Sequence, residues 1–194
     1  MFHMAEAGAW PAIRADGLQS AAALVERYGA APELVTRRRP VAVTLTAPGR
    51  GPAVLRDNGV LHDAQLARCL EGMDLPAFYR MLNGRVYLWP TRRRVAGLLG
   101  ARAYRDRAHL VLELDTAALL ARHAPAVRLS PINMGATLIN PPRRGPDTAR
   151  PLGEWPRGRV VAEVSVEHAV PDAADLVVAA AVHHPDGRVE PVER

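Results

Sequence analysis

At 194 residues and 21.0 kDa the chain suits one domain with a sizeable core and would cramp two. Hydrophobic residues at 48% and charged residues at 23% exclude wholesale disorder and fibrous classes, and a lone cysteine, Cys69, excludes an internal disulfide or a Cys-based zinc site. All 25 basic residues are arginine, against 20 carboxylates, so the net charge of +5 comes with no lysine nucleophile or Schiff base. A pI near 10.3 carried by guanidinium suits polyanionic partners, because arginine forks match phosphate bidentately; codon usage is the competing source of the same basicity. The longest apolar stretches, such as Leu176–Val182, fall well short of the ~18 residues of a membrane span, and Met1-Phe2-His3 lacks the pattern of a secretory leader, so a cytoplasmic protein is expected.

In chain order, Met1–Met4 reads as a short edge strand and Trp10–Ala15 as a helical turn stopped by Gly17. Ser20 caps a helix over Ser20–Tyr28, and Arg37-Arg38-Arg39-Pro40 breaks the pattern before a β-branched strand over Val41–Leu45. After the turn-rich Ala47–Pro52, two short helices are expected over Asp63–Leu70 and Pro76–Leu82, with Asn83-Gly84 as the stop. Arg85–Trp89 reads as a strand and Arg92–Tyr104 as a helix capped by Thr91. Leu110–Leu114 is a strand, and Asp115 or Thr116 caps a helix over Ala117–His123. Val127–Leu129 opens a strand, and Ser130–Gly158, rich in Pro, Gly, Asn and Arg, is expected to be a long surface excursion of the functional kind. Arg159–Glu167 alternates Val160, Ala162, Val164 and Val166 against Val161, Glu163, Ser165 and Glu167, and a hairpin of Leu176–His183 with Arg188–Val192 closes the chain. Helices first and then a mixed run of strands predict an α+β domain over 1–194 with a largely antiparallel sheet.

The motifs of dinucleotide-binding, P-loop, zincin and hydrolase-elbow chemistry are missing, and the seven scattered histidines give no metal-ligand spacing. Two polar residues stand where packing does not ask for them. Glu163 interrupts an apolar strand, where a carboxylate costs solvation unless its face is a cleft or open to water; a half-exposed, wetted sheet is the simpler account. His3 sits between Phe2 and Met4 in the first strand.

Three segments carry a resemblance. Phe2-His3-Met4, Trp10-Pro11-Ala12-Ile13 and Gly17-Leu18-Gln19-Ser20 are similar to the opening motif of the DarT-like branch of ADP-ribosyltransferases, shared with RNA 2′-phosphotransferases. Arg85–Pro90, leading into Arg92–Leu99, is similar to that branch's aromatic strand and helix, and Ala162–Val166 with Val170-Pro171 resembles the strand that carries its catalytic glutamate. The three occur in the family's order from residue 2 to about 178. The surroundings of Leu55-Arg56-Asp57-Asn58 depart from DarT's pattern, and Leu129–Thr137 with Pro142–Gly145 looks more like an uncharacterised bacterial relative of DarT.

The resemblance implies a split-sheet fold with NAD+ as co-substrate in a cleft between two small antiparallel sheets, no metal, and transfer of ADP-ribose to a nucleic acid or a protein side chain with release of nicotinamide. Breaking the nicotinamide–ribose bond develops oxocarbenium-like charge, which a carboxylate stabilises; Glu163 takes that role by resemblance. His3 would bond the ribose, Tyr87 stack on nicotinamide and Arg56 gather the pyrophosphate, with Gly17 and Ser20 completing the cofactor side. Asn133, Arg143 and Arg144, in the segment before the glutamate strand, and Arg92, Arg93 and Arg94 would face the acceptor. A basic nucleic-acid-binding module that kept the fold and lost the reaction is the alternative, and an RNA 2′-phosphate transferase is a third reading. A macrodomain antitoxin is a partner that the resemblance alone suggests.

Overall fold

The computed structural model describes residues 1–137 and 140–193; positions 138 and 139 of the expected excursion lie outside them. The strands are β1 (Phe2–Glu6), β2 (Leu18–Gln19), β3 (Val43–Leu45), β4 (Ala53–Leu55), β5 (Arg85–Leu88), β6 (His109–Leu114), β7 (Val127–Ser130), β8 (Arg150–Pro151), β9 (Glu163–Glu167), β10 (Ala169–Val170), β11 (Val177–His183) and β12 (Val189–Pro191). The helices are α1 (Trp10–Asp16), α2 (Ala21–Arg27), α3 (Asp63–Cys69), α4 (Leu75–Asn83), α5 (Arg92–Leu99), α6 (Thr116–His123) and α7 (Ala173–Leu176). The fold is α+β, and every pairing between these strands is antiparallel.

Two four-stranded sheets dominate, in the orders β1-β6-β11-β12 and β5-β9-β7-β8. The middle strands explain themselves: β6 (His-Leu-Val-Leu-Glu-Leu) and β9 (Glu-Val-Ser-Val-Glu) are covered along nearly their whole length, and their Leu and Val side chains fill the interior between the layers. The sheets meet where Phe2 and Trp89 exchange two backbone hydrogen bonds, Phe2 N–H to Trp89 O at 2.9 Å and Trp89 N–H to Phe2 O at 2.7 Å. One core draws on both: Val86, Leu88, Val164 and Val166 pack with Leu110, Leu112, Leu114 and Ala180, closed at one end by Trp10 and Ile13 of α1.

Several boundaries move from those expected, each for a local reason. The helix predicted to Tyr104 stops at Leu99, because Gly97 and Gly100 weaken its last turn. The strand predicted from Arg159 begins at Glu163, and Val160 is 72% exposed. The strand predicted from Val41 begins at Val43 and pairs with β4, which had no sequence signal beside its prolines and glycines. The expected excursion is a tethered segment with short 3-10 turns at Pro146–Thr148 and Leu152–Glu154 and the edge strand β8. Ser20 and Asp115 cap as expected, accepting from the N–H groups of Ala23 and Ala118.

Gly17 is a tight constraint. It ends α1 at φ 75°, in the left-handed region, and a Cβ there would collide with the carbonyl of Val170, where β10 pairs with β2. Gly17→Ala is therefore expected to cost about 2–4 kcal/mol in chemical denaturation, from the left-handed backbone and the forced contact together. A cost below about 1 kcal/mol would contradict this packing.

Candidate functional site

The second sheet has two faces of opposite chemistry. Its register sets Arg85 against Glu167, Tyr87 and Arg128 against Ser165, and Ser130 against Glu163. Residues directly opposite share a face, so these seven form a polar side, while Val86, Leu88, Val127, Leu129, Val164 and Val166 form the apolar side in the core. Around Glu163, Ser165 and Ser130 the polar side is covered, while Glu167 at its far end is half-exposed. Glu163 is 4% exposed, which corrects the simpler expectation of a solvated strand face.

Residues 131–137 do the covering. The Ser130 hydroxyl donates to the carbonyl of Ile132 at 2.8 Å and accepts from its N–H at 3.2 Å, turning the chain so that the N–H of Met134 reaches Glu163 Oε1 at 3.3 Å. Met134 then joins Leu61, Leu66, Phe78 and Tyr79 in a second apolar cluster, against which Tyr87 and Ile132 pack. Arg144 pins the turn from behind. It is 1% exposed, and its Nη1 donates to the carbonyls of Met134 and Ala136 at 2.9 Å each and its Nε to Pro142 at 3.2 Å. Its own backbone bonds Cys69 and Glu71. The expectation that Arg144 meets an acceptor's phosphates is therefore corrected: the side chain is buried, its Nε and Nη1 bond carbonyls inside the protein, and its Nη2 is buried without a hydrogen-bond partner among the described residues.

Burial pushes the Glu163 carboxyl up to about 8, against the Met134 N–H and the cations of Arg85 and Arg144, which favour its charged form. The same burial, with the Glu163 charge beside it, holds the Tyr87 phenol above its ordinary range, so that ring stays neutral. His3 Nδ1 lies 2.9 Å from the carbonyl of Tyr87, so Nδ1 carries the proton and donates it. Burial first, and Arg56 in addition, push the ring down to about 4 despite that bond. In the neutral ring Nε2 is then an acceptor, and it has no partner among the described residues.

Arg56, just after β4, donates from Nη1 to the carbonyl of Met4 at 3.0 Å, lies 3.8 Å from Glu6 through Nε, and stacks 4.5 Å above the Tyr104 ring. Its buried Nη2 has no hydrogen-bond partner among the described residues, nor have Glu6 Oε1 and His109 Nδ1. His109 directly opposes Glu6 between β6 and β1 and bonds the Tyr104 carbonyl through Nε2 at 3.0 Å. The structure thus links His3, Arg56, Tyr87 and Glu163 in series near the Phe2–Trp89 bridge: Arg56 beside His3, His3 bonded to the Tyr87 carbonyl, and Tyr87 on the same sheet face as Glu163.

Other expected site residues are placed elsewhere. Gly17 and Ser20 are buried, one ending a helix and the other spending its hydroxyl on the Ala23 N–H, so the expected cofactor contacts give way to architectural duties. Asn133 is exposed and its side-chain oxygen accepts from the Gly135 N–H at 2.9 Å. Arg143 is exposed and paired with Glu71 at 2.5 Å, Arg92 is paired with Glu113 at 2.6 Å, and Arg93 is exposed. Arg85 escaped the sequence reading, although its position two residues before Tyr87 on a strand signals the shared face. The Glu6–His109 contact had no such signal, because it depends on the β1–β6 register. No group of three or more His, Cys, Asp or Glu converges to hold a metal among the described residues, and none of their helices is long and apolar enough to cross a membrane.

The carboxyl has a consequence for stability. Its folded value, about 8, lies above the ordinary 4.5, so the folded state holds a proton that the unfolded chain releases between these values; stability is greatest below 4.5 and falls as the pH rises toward 8. At pH 7 this amounts to on the order of 3 kcal/mol, at ~1.4 kcal/mol for each pH unit above 4.5. His3 acts oppositely, losing stability as the pH falls from 6.5 toward 4, so the two slopes cancel near pH 5–6 and Glu163 dominates above it. Glu163→Gln is expected to melt close to wild type near pH 4.5 and progressively above it up to pH 8. Parallel melting profiles for the two proteins across that range would show that the carboxyl is ordinary.

Over residues 1–177 the chain matches the profile of a family of unknown function, DUF7002. No curated protein and no solved structure matches it. With nine-tenths of its length inside that profile, the chain belongs to the DUF7002 family.

Proposed function

We propose that the protein is an NAD+-dependent ADP-ribosyltransferase, with Glu163 as the catalytic carboxylate and a nucleic acid as the acceptor. The observation that carries this reading is the convergence of a buried carboxylate, an aromatic ring, a neutral histidine and an under-used arginine at the parting of two antiparallel sheets. On this reading the two sheets are the split sheet of the ADP-ribosyltransferase superfamily.

The residues present suit such a substrate. His3 Nε2 offers an acceptor to a ribose hydroxyl, the neutral Tyr87 ring offers a stacking face, and Arg56 Nη2 is a buried donor for a phosphate oxygen. In the transfer, the bond from the ribose carbon to nicotinamide breaks and its electron pair leaves with nicotinamide. The acceptor's nucleophilic atom forms the new bond to that carbon, and the Glu163 carboxylate stabilises the developing charge and takes the acceptor's proton. Two conditions follow from the geometry: residues 131–137 must lift from Glu163, and the carboxyl must ionise.

A second reading has its own support. The neutral, covered state of Glu163 suits a module that binds nucleic acid and has lost the reaction. Nicotinamide release from labelled NAD+ separates the two. For the transferase, Glu163→Gln is expected to lower release at least ~100-fold, and the kcat/KM of wild type to rise with pH through about 8 as the carboxyl ionises. Unchanged release by the variant would remove the transferase reading, as would no release by wild type with DNA or RNA and no shift of Tm by NAD+; salt-sensitive binding of DNA or RNA alongside that result would establish the module.

A further inference from the structure

One exposed segment of this protein carries a strong local excess of positive charge. Residues 92–107 contain six arginines, Arg92, Arg93, Arg94, Arg102, Arg105 and Arg107, and one carboxylate, Asp106. The segment's own net charge is therefore +5, matched only by the arginines of residues 37–56, of which Arg38, Arg39 and Arg56 donate to backbone carbonyls. We infer that the exposed face of α5 and the turn after it is a docking surface for the phosphate backbone of a nucleic acid strand, lying beside His3.

All six arginines are exposed. Arg92 pairs with Glu113 and Arg105 with its neighbour Asp106, while Arg93, Arg94, Arg102 and Arg107 have no ion pair among the described residues. In the other arginine-rich segments several members are committed: Arg38 and Arg39 donate to backbone carbonyls, Arg143 pairs with Glu71 and Arg144 is buried, while Arg37, Arg50 and Arg157 are exposed singly. The placement on α5 also runs against local stability. Arg92, Arg93 and Arg94 occupy the first turn, where the helix dipole favours carboxylates, and no acidic residue relieves them there. Arg92 is compensated by Glu113, but Arg93 and Arg94 break this local rule without an ion pair among the described residues, which points to function.

The surface is held firmly against the site. Val95, Leu98, Leu99 and Tyr104 pack with Phe2, Met4 and Val111, and the Arg92 guanidinium lies 5.2 Å above the Phe2 ring, one residue from His3. Tyr104 carries Arg56 on its face. A strand bound along α5 is thereby delivered to the fork of the two sheets. The chemistry favours nucleic acid over a bilayer, because the cations are all guanidinium and none of the exposed large hydrophobic residues, Val41, Val160, Val178 and Val189, lies in the segment to insert. This inference deepens the acceptor half of the proposed function and does not rest on its chemistry.

The test is fluorescence anisotropy of labelled 20-nucleotide single-stranded DNA and RNA, without NAD+, as a function of salt. Wild type is expected to bind at least one of them with a steep salt dependence. Combining Arg93→Gln, Arg94→Gln, Arg102→Gln and Arg107→Gln should weaken binding at least 30-fold at 50 mM salt and flatten the logarithmic salt slope by about 3, at ~0.7 for each lost single-strand phosphate contact. The Tm of this variant should be equal to or above wild type, since like charges leave the first turn of α5. Combining Arg143→Gln, Arg157→Gln and Arg159→Gln, the control on the other basic segment, should change affinity less than threefold. Equal loss from both variants, no binding of either polymer by wild type, or binding to phosphatidylserine vesicles in place of both polymers would overturn the surface. Nicotinamide release persisting while binding fails would leave the transferase reading standing, and binding without release would leave the surface standing.

Discussion

Two backbone hydrogen bonds between Phe2 and Trp89 join the sheets, and much of the architecture follows from that joint. Each sheet alone has one apolar face to cover. Joined along β1 and the end of β5, they bury Val86, Leu88, Val164 and Val166 together with Leu110, Leu112 and Leu114 in one interior. Beyond the joint the strands diverge, and His3 keeps contact through its bond to the Tyr87 carbonyl. The polar groups of the candidate site gather at this fork because it is where the sheets stop satisfying one another.

The electrostatics of the fork are governed by desolvation more than by pairing. Arg85 and Arg144 both favour an ionised Glu163, yet burial outweighs them. Arg144 at the same time donates to the carbonyls of Met134 and Ala136, fixing the segment that covers the carboxyl. The same arginine thus fixes the cover that buries the acid while its charge opposes the neutral form. His3 is neutral for the same reason, with its proton on Nδ1 by the geometry of its one bond. Under the proposed function, the neutral acid and imidazole suit sugar hydroxyls, and Arg56, which lies 3.8 Å from Glu6, keeps one buried donor without a hydrogen-bond partner among the described residues.

Much of the secondary structure was legible. Period-two alternation placed β5, β6 and β9 and the polar face of Glu163 and Ser165, and Ser20, Thr91 and Asp115 announced their helices through capping chemistry. The two- and three-residue strands β2, β4, β8 and β10 were invisible, because strands so short have no period and exist only through their partners. The candidate site was legible in its residue types. What escaped was the cover: nothing in Asn133-Met134-Gly135 says that its backbone will donate to a carboxylate 29 residues onward.

The sequence by itself determined the α+β class, the strand and helix cores, the chain's basicity and the unusual polar residues, since these depend on local pattern and composition. The tertiary structure decided which of the 25 arginines are free. Arg39 and Arg144 look in sequence like members of basic runs, yet both are buried and donate to carbonyls, while Arg93, Arg94, Arg102 and Arg107 stand unpaired on one face. The physical reason is that a guanidinium's role is set by its distance from water and from acceptors across the fold. The state of Glu163 belongs to the same category: its alternation was local, but its burial was fixed by a turn and an arginine that pack onto it from elsewhere in the chain.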